Sequence, residues 1–354
     1  MKDFNKNGSE YISAIISKAI EEGKREAVVT GNYEIETAVR IPSDFTLYLE
    51  DCHLVMADGV YSNMFVNEHH DTEIGKTLEG TDRNISIIGR GEVILDGGNY
   101  NGLSESTALK NGLPPIWKNN LILFTNVEGF KISGLFCKNQ RWWALNFIYC
   151  SNGYIGQMEF QSSNVAIDEN GNQYKGLIRS KAREVFIKNS DGIDLRVGCH
   201  DIVIEDVSGF TEDDTVALTG LDGRMEKYFA VEGASSDMYN LTVRRVSAES
   251  FCSVVRLLNQ GGIKQYNVLV EEIVNTWHGT KNMDTPGGCV RIGDNYLYGS
   301  YQTSEDKTYN ITVKNTYGRG RYSLCIACDI GNLVYENICA HSDSVPVLDD
   351  RKKS

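Results

Sequence analysis

The chain returns repeatedly to one short pattern of polar and apolar positions. Tyr239-Asn240-Leu241-Thr242-Val243, Tyr266-Asn267-Val268-Leu269-Val270 and Tyr309-Asn310-Ile311-Thr312-Val313 share an order: tyrosine, asparagine, apolar, variable, valine. Looser copies are His200-Asp201-Ile202-Val203-Ile204, Gly331-Asn332-Leu333-Val334-Tyr335, Arg83-Asn84-Ile85-Ser86-Ile87 and Gly129-Phe130-Lys131-Ile132. In each, apolar residues alternate with polar ones, the period of a half-buried strand. An asparagine or aspartate just before such a strand suits a tight turn, because its side chain bonds locally and tolerates positive φ.

The intervals between copies decide the fold class. Ile204 to Val243 is 39 residues, Val243 to Val270 is 27, Val270 to Val313 is 43, and Val313 to Tyr335 is 22. The shortest fits one coil of a parallel β-helix. The longer ones fit either a coil plus an inserted loop or two coils. Helical periodicity is almost absent after residue 24, which argues against an alternating βαβ fold. The expected architecture is all-β: one right-handed parallel β-helix domain over residues 1–354.

Its ends can be read as well. Ile12, Ile15, Ile16, Ala19 and Ile20 follow helical spacing, with Ser9 placed to cap the start and Gly23 the end. A helix over about residues 1–25 would cover the apolar cross-section and open strand edge of the first coil. Residues 340–354 read as a polar tail that frays. Insertions are expected at Asn99–Asn119, Asp168–Gly176 and His278–Gly288. In a solenoid such loops gather on one side and wall a groove, here in a manner that suggests exo-type action.

Composition narrows the partners. The 354 residues carry a net charge of −13, with 34 glycines and only 5 prolines. That charge argues against nucleic-acid binding, which needs a basic face. No run of 18 apolar residues offers a membrane span. The N-terminal text lacks the apolar core of a signal peptide, so a cytoplasmic location is expected; a removed leader would leave secretion open. The nine cysteines are scattered, with one close pair, Cys325 and Cys328. They read as small buried hydrophobes rather than a zinc site. Asn84, Asn240 and Asn310 match the glycosylation sequon, but each opens a repeat strand, and the turn explains all three.

The chemistry lies between Asp191 and Gly220. Asp191 and Asp194 stand at one end, Glu212, Asp213 and Asp214 at the other. From Asp191 to Asp213 is 22 residues, about one coil. Neighbouring coils sit about 4.8 Å apart, so the two clusters should meet on one face. Carboxylates that close cannot all ionise cheaply; one keeps its proton while another stays charged. Such a pair can break a glycosidic bond. Adjacent strand residues point to opposite faces, so Asp213 and Asp214 can both reach a groove only if the chain bends there.

At these residues the sequence resembles glycoside hydrolase family 28, the polygalacturonases and their relatives. Asn189-Ser190-Asp191-Gly192-Ile193-Asp194 is similar to the family's N-T-D-G-x-D, and Glu212-Asp213-Asp214 to its G-D-D. Asn139 to Cys150 resembles the N-S-P-x-W segment, and Phe45–Glu50 and Gly91–Gly97 resemble early coils. The resemblance implies Asp213 as general acid, Asp191 and Asp214 as the pair activating water, and inversion at the anomeric carbon. Inversion calls for carboxyl separations of roughly 6.5–9.5 Å. The chemistry requires no metal and no cofactor. Two family motifs are altered. The histidine of G-H-G is missing near Glu249–Arg256, where Ser253 takes its place and Arg256 follows. The R-I-K motif survives only as Arg291-Ile292-Gly293, which keeps the arginine that implies uronate recognition.

Other candidate sugar contacts are Trp143, Arg141, Asp194 and His278. Alternation suggests that Trp142 and Trp143 point to opposite faces, one into the core and one to a sugar. Trp117 could line the groove or pack its loop. His69 and His70 read as surface residues, and His200 as a turn residue. The expected partner is an oligosaccharide substrate. Two rivals use the same scaffold: a carbohydrate-binding β-helix without catalysis, and a uronate lyase or epimerase. A third is a trimeric structural solenoid.

Overall fold

A computed structural model describes residues 3–98, 115–140, 142–162, 165–167, 173–175, 191–277, 287–294 and 301–351. The chain winds as a right-handed parallel β-helix. One wall is built from long bent strands, among them Glu26–Ile35, Phe45–Met56, Asp82–Asp96, His200–Thr211, Met238–Ser250, Gln265–Asn275 and Thr308–Gly318. The opposite wall is a ladder of short strands that includes Val39–Ile41, Phe65–Asn67, Ile193–Arg196, Val216–Gly220, Ser253–Asn259, Gly288–Ile292 and Tyr322–Ile326. Ile122–Lys138 and Leu145–Gln161 run continuously through both walls.

The repeat pattern is the register of the long wall. Ile204 pairs with Val243, Val243 with Val270, Val270 with Val313, and Val313 with Tyr335. Every interval, 39 and 43 residues included, is therefore one coil; the extra length sits in inserted loops. Asp201, Asn240, Asn267, Asn310 and Asn332 all have φ between 52° and 55°. Each asparagine amide donates to the side-chain oxygen one coil back, at 2.8, 3.1, 3.1 and 2.8 Å. The preceding rings stack: His200 on Tyr239, Tyr239 on Tyr266 and Tyr266 on Tyr309, with centroids 4.6, 5.2 and 5.0 Å apart. A polar ladder and an aromatic stack thus run along one edge, and they explain why tyrosine and asparagine recur together.

Inside, the inward positions form one apolar column that includes Leu47, Ile87, Ile132, Ile155, Ile204, Val243, Val270 and Val313. Cys137, Cys150, Cys199 and Cys289 are buried in it as small apolar groups. The N-terminal helix Gly8–Glu21 closes one end through Ile12, Ile16 and Ala19. Gly23, at φ 74°, ends it, and the Lys24 N–H reaches back to the Ala19 carbonyl. Ser9 is not its cap. Asn7 holds that position, and the Ser9 hydroxyl accepts from the Glu36 and Thr37 N–H groups, tying the helix to the first coil.

The C-terminal text also differs from expectation. Val345–Asp349 is a strand paired with Tyr322–Ile326, so the last coil runs past residue 345. Its apolar residues Val347 and Leu348 continue the ladder that the charged ending obscured. At the expected insertion over 168–176, residues 173–175 pair antiparallel with 165–167 just before it. Residues 99–114, 168–172 and 278–286 lie outside the described residues. Among the described residues, no helix is long and apolar enough to cross a membrane.

Candidate active site

The short-strand wall aligns the acids. Ile193 pairs with Val216 and Val216 with Val255, which places Asp191, Asp214 and Ser253 at equivalent positions of three successive coils. The Asp214 N–H donates to Asp191 Oδ1 at 3.1 Å. Residues 212 and 213 form a bend, so adjacent aspartates 213 and 214 escape the alternation of a straight strand. One carboxylate oxygen from each of Asp191, Asp213 and Asp214 lies within 4.8 Å of the other two. The Asp213 carbonyl is held by the Thr211 and Ser250 hydroxyls at 2.8 and 2.7 Å, which fixes the bend.

Burial sets the electrostatics. Asp191 and Asp214 are buried, and Asp213 is the most accessible of the three. Burial, then the charges of Asp194, Asp213 and Asp214, pushes the Asp191 carboxyl well above its ordinary range. Burial raises Asp214 to about 7, against the pull of Arg256. It raises Asp194 to about 6, against the pull of Arg196. Burial and mutual repulsion thus favour the protonated forms of Asp191 and Asp214. Three carboxylates this close also have the spacing to hold a hard cation.

The cations that face this cluster come from the next two coils. Asp194 is in register with Ala217, Ala217 with Arg256, and Arg256 with Arg291. Arg256 Nη1 stands 3.4 Å from Asp214 Oδ2 and so brings a cation to the carboxylate beside Ser253. Its other nitrogen pairs with Asp294, which also receives Arg291 at 3.3 Å. Arg291 further contacts Cys325 Sγ at 3.5 Å and Asp350 at 3.7 Å. The two arginines are thus partly neutralised before any ligand arrives. Tyr322 lies across Gly288, where an added Cβ would meet its ring at 1.8 Å.

Several sequence expectations need correction. Asp194, expected as a sugar contact, has 0% exposure and pairs with Arg196 at 3.1 Å. Trp142 and Trp143 do not split between core and groove. Trp142 has φ 66°, which breaks the alternation, and both rings join an apolar cluster on the outer face. Trp143 lies over the Arg196 guanidinium at 4.1 Å. Trp117 is buried in the same cluster, a packing role. His70 is buried rather than superficial; it bonds Thr125 Oγ1 at 3.2 Å and packs on Phe229. Arg141 and His278 lie outside the described residues. Sequence reasoning missed Asp294, Glu226 and Tyr322. Asp294 had a signal, an acid three residues after Arg291. The carboxyl gap of at most 4.8 Å is shorter than the roughly 6.5–9.5 Å expected for inversion.

Several solved structures share the parallel β-helix fold. The polygalacturonase of Erwinia carotovora ssp. carotovora superposes with a TM-score of 0.57 at 13% identity, covering 100% of this chain and 96% of that one. An iota-carrageenase complexed to iota-carrageenan fragments gives 0.63 at 10% identity, covering 100% and 88%. A tailspike of E. coli bacteriophage HK620, in complex with a pentasaccharide, gives 0.62 at 14% identity, covering 96% and 60%. The structural neighbours thus include a polygalacturonase, in keeping with the sequence resemblance. The sequence matches no family model and no curated protein.

Proposed function

We propose that this protein hydrolyses an O-glycosidic bond in a pectin-type or other oligosaccharide. The observation that supports this most is the convergence of Asp191, Asp213 and Asp214 within 4.8 Å of one another. Sharing a fold with polygalacturonase and carrageenase structures adds to it.

Asp213, the most accessible of the three, protonates the leaving oxygen as its bond to the anomeric carbon breaks. Asp191 or Asp214, as carboxylate, takes a proton from the water that attacks that carbon. The products are a new reducing end and a free hydroxyl. A proton favoured on the buried pair passes across the short gap to Asp213 when substrate covers the site. The same short gap resets the cluster after turnover. Arg256, three residues after the Ser253 that stands where the resemblance would put a histidine, stabilises the charge on Asp214. Arg291 is positioned to contact a uronate carboxylate, but it shares its charge with Asp294. An acidic sugar therefore meets a weakened grip, and a neutral one meets no repulsion from an unpaired cation.

Inversion follows from the resemblance. The short carboxyl gap favours a second reading, retention, in which one aspartate attacks the anomeric carbon directly. Product analysis over plant-wall and host-glycan oligosaccharides, with Asp213→Asn as control, tests the proposal. New reducing ends from the wild type, and none from a variant that still binds the sugar, are expected. Sugar binding without turnover by the wild type would leave a binding protein. The anomer first released, read by proton NMR, separates inversion from retention.

A further inference from the structure

A solenoid's outward residues should meet solvent, yet on one side of the acidic trio they do not. Val66, Leu123, Asn146 and Asp194 occupy one outward column, in register from coil to coil. All four have 0% exposure. Beyond the trio the same column passes Ala217, at 2%, to Arg256 and Arg291, whose side chains keep 11% and 17%, and reaches buried Cys325. Something covers the N-terminal half of this face and leaves the two arginines partly open.

The cover is residues 221–237, the insertion between strands Val216–Gly220 and Met238–Ser250. It carries the short helix Arg224–Tyr228. Met225 and Phe229, one helical turn apart, face the wall, while Arg224, Lys227 and Tyr228 face solvent. The two apolar side chains join Val66, Leu123, Ile148 and Val197 in a second apolar cluster outside the solenoid. Polar ties fix the segment along its length. Glu226 pairs with Arg196 at 2.9 Å, and Arg196 also pairs with Asp194. The Tyr228 hydroxyl bonds Asp71, which holds Lys118 at 2.8 Å. The Glu232 N–H donates to the Lys76 carbonyl at 2.7 Å. These anchors run from the coil of Asp191 back over earlier coils. The insertion leaves its own coil and runs back over its predecessors as a fixed wall.

From this we infer that residues 221–237 close one end of the groove, so that the protein acts on a chain end and releases short products of uniform size. The inference rests on the hydrolase reading above. Asp194, in the same coil as Asp191, is already beneath the wall. Among the described residues the approach to the trio lies on the side of Arg256 and Arg291, and a sugar chain entering there must stop where Glu226 and Arg196 stand. An interior bond of a long chain cannot be centred on the trio without driving the chain through Met225 and Phe229.

The test uses the full chain and whichever oligosaccharide the wild-type protein cleaves, supplied as a ladder of lengths. Each length is prepared free, blocked at one end, and blocked at both. The expected result is a single short product from the earliest time points, with the remainder shortening stepwise. Substrates blocked at both ends should be cleaved at least about a hundredfold more slowly. Early mid-length fragments, or cleavage of doubly blocked chains at an undiminished rate, would overturn the inference and leave the hydrolase reading intact. Failure to cleave any substrate removes the hydrolase reading, and this inference with it. A variant with residues 222–236 replaced by a short glycine linker should gain mid-chain cleavage. Should it not fold, the blocked-substrate comparison on the wild type still decides.

Discussion

The Asp214 backbone N–H donates to Asp191 Oδ1 at 3.1 Å, across one turn of the solenoid. This contact converts a 23-residue separation in sequence into a shared site. It also places Asp191 where the charges of Asp213 and Asp214 act on it. Burial keeps water from screening that repulsion, so the cluster binds a proton at a pH where isolated aspartates have lost theirs.

The pH dependence of stability follows in sign. Asp214 and Asp194 have folded-state values of about 7 and about 6, raised chiefly by burial. In the unfolded chain an aspartate titrates near 3.9. The folded state therefore binds more protons between about pH 4 and pH 7. Stability is greatest below that window, falls as pH rises through it, and levels off above. Asp214→Asn cannot ionise, so its urea midpoint should drop less between about pH 5 and pH 8 than the wild type's. An equal or larger drop in the variant would mean that Asp214 does not carry the shift.

Arg256 pulls the Asp214 value down from where burial alone would hold it. Removing the cation in Arg256→Met should let Asp214 keep its proton to higher pH. The basic limb of the rate profile then moves upward, while kcat/KM at neutral pH falls about ten- to a hundredfold, ~1.4–2.7 kcal/mol of barrier. Arg256→Lys, which keeps the charge, should recover part of the loss. An unmoved pH profile would show that Arg256 acts only as structural support for Asp294.

The asparagine ladder makes a prediction about stability alone. Asn267 sits at φ 55° and bonds Asn240 on one side and Asn310 on the other. Asn267→Ala loses both bonds and puts a Cβ-bearing residue without a local partner in the left-handed region, at a cost of ~1–2 kcal/mol. Asn267→Gly should cost less, because glycine adopts that conformation freely. Urea titration of the two variants checks the order, and turnover below the unfolding range should match the wild type. An alanine variant as stable as the wild type would show that the ladder is ornamental.

Much of this was legible in the sequence because a parallel solenoid makes equivalent residues recur. The Tyr-Asn repeats could be read because each is one position of a stacked ladder. The acids could be read because no insertion separates Asp191 from Asp213, so their spacing equals a bare coil. The wall over the N-terminal half was not legible in residues 221–237, whose polar text has no period long enough to notice. Its role depends on contacts such as Asn146 Nδ2 to Met225 Sδ, 79 residues apart. The signal lay in the strands beneath it. Met64-Phe65-Val66 and Leu121-Ile122-Leu123-Phe124 are apolar at both alternations, the mark of a strand covered on both faces. Trp142 and Ser9 were misplaced for a simpler reason: local rules for alternation and capping yield to a positive φ at Trp142 and to tertiary bonds at Ser9.

Reaction in water enriched in oxygen-18 tests the account most directly. If Asp191, Asp213 and Asp214 direct water onto an anomeric carbon, every new reducing end carries one labelled oxygen, and Asp213→Asn releases none. An unsaturated product absorbing in the ultraviolet, or labelled ends formed at the wild-type rate by Asp213→Asn, would contradict it.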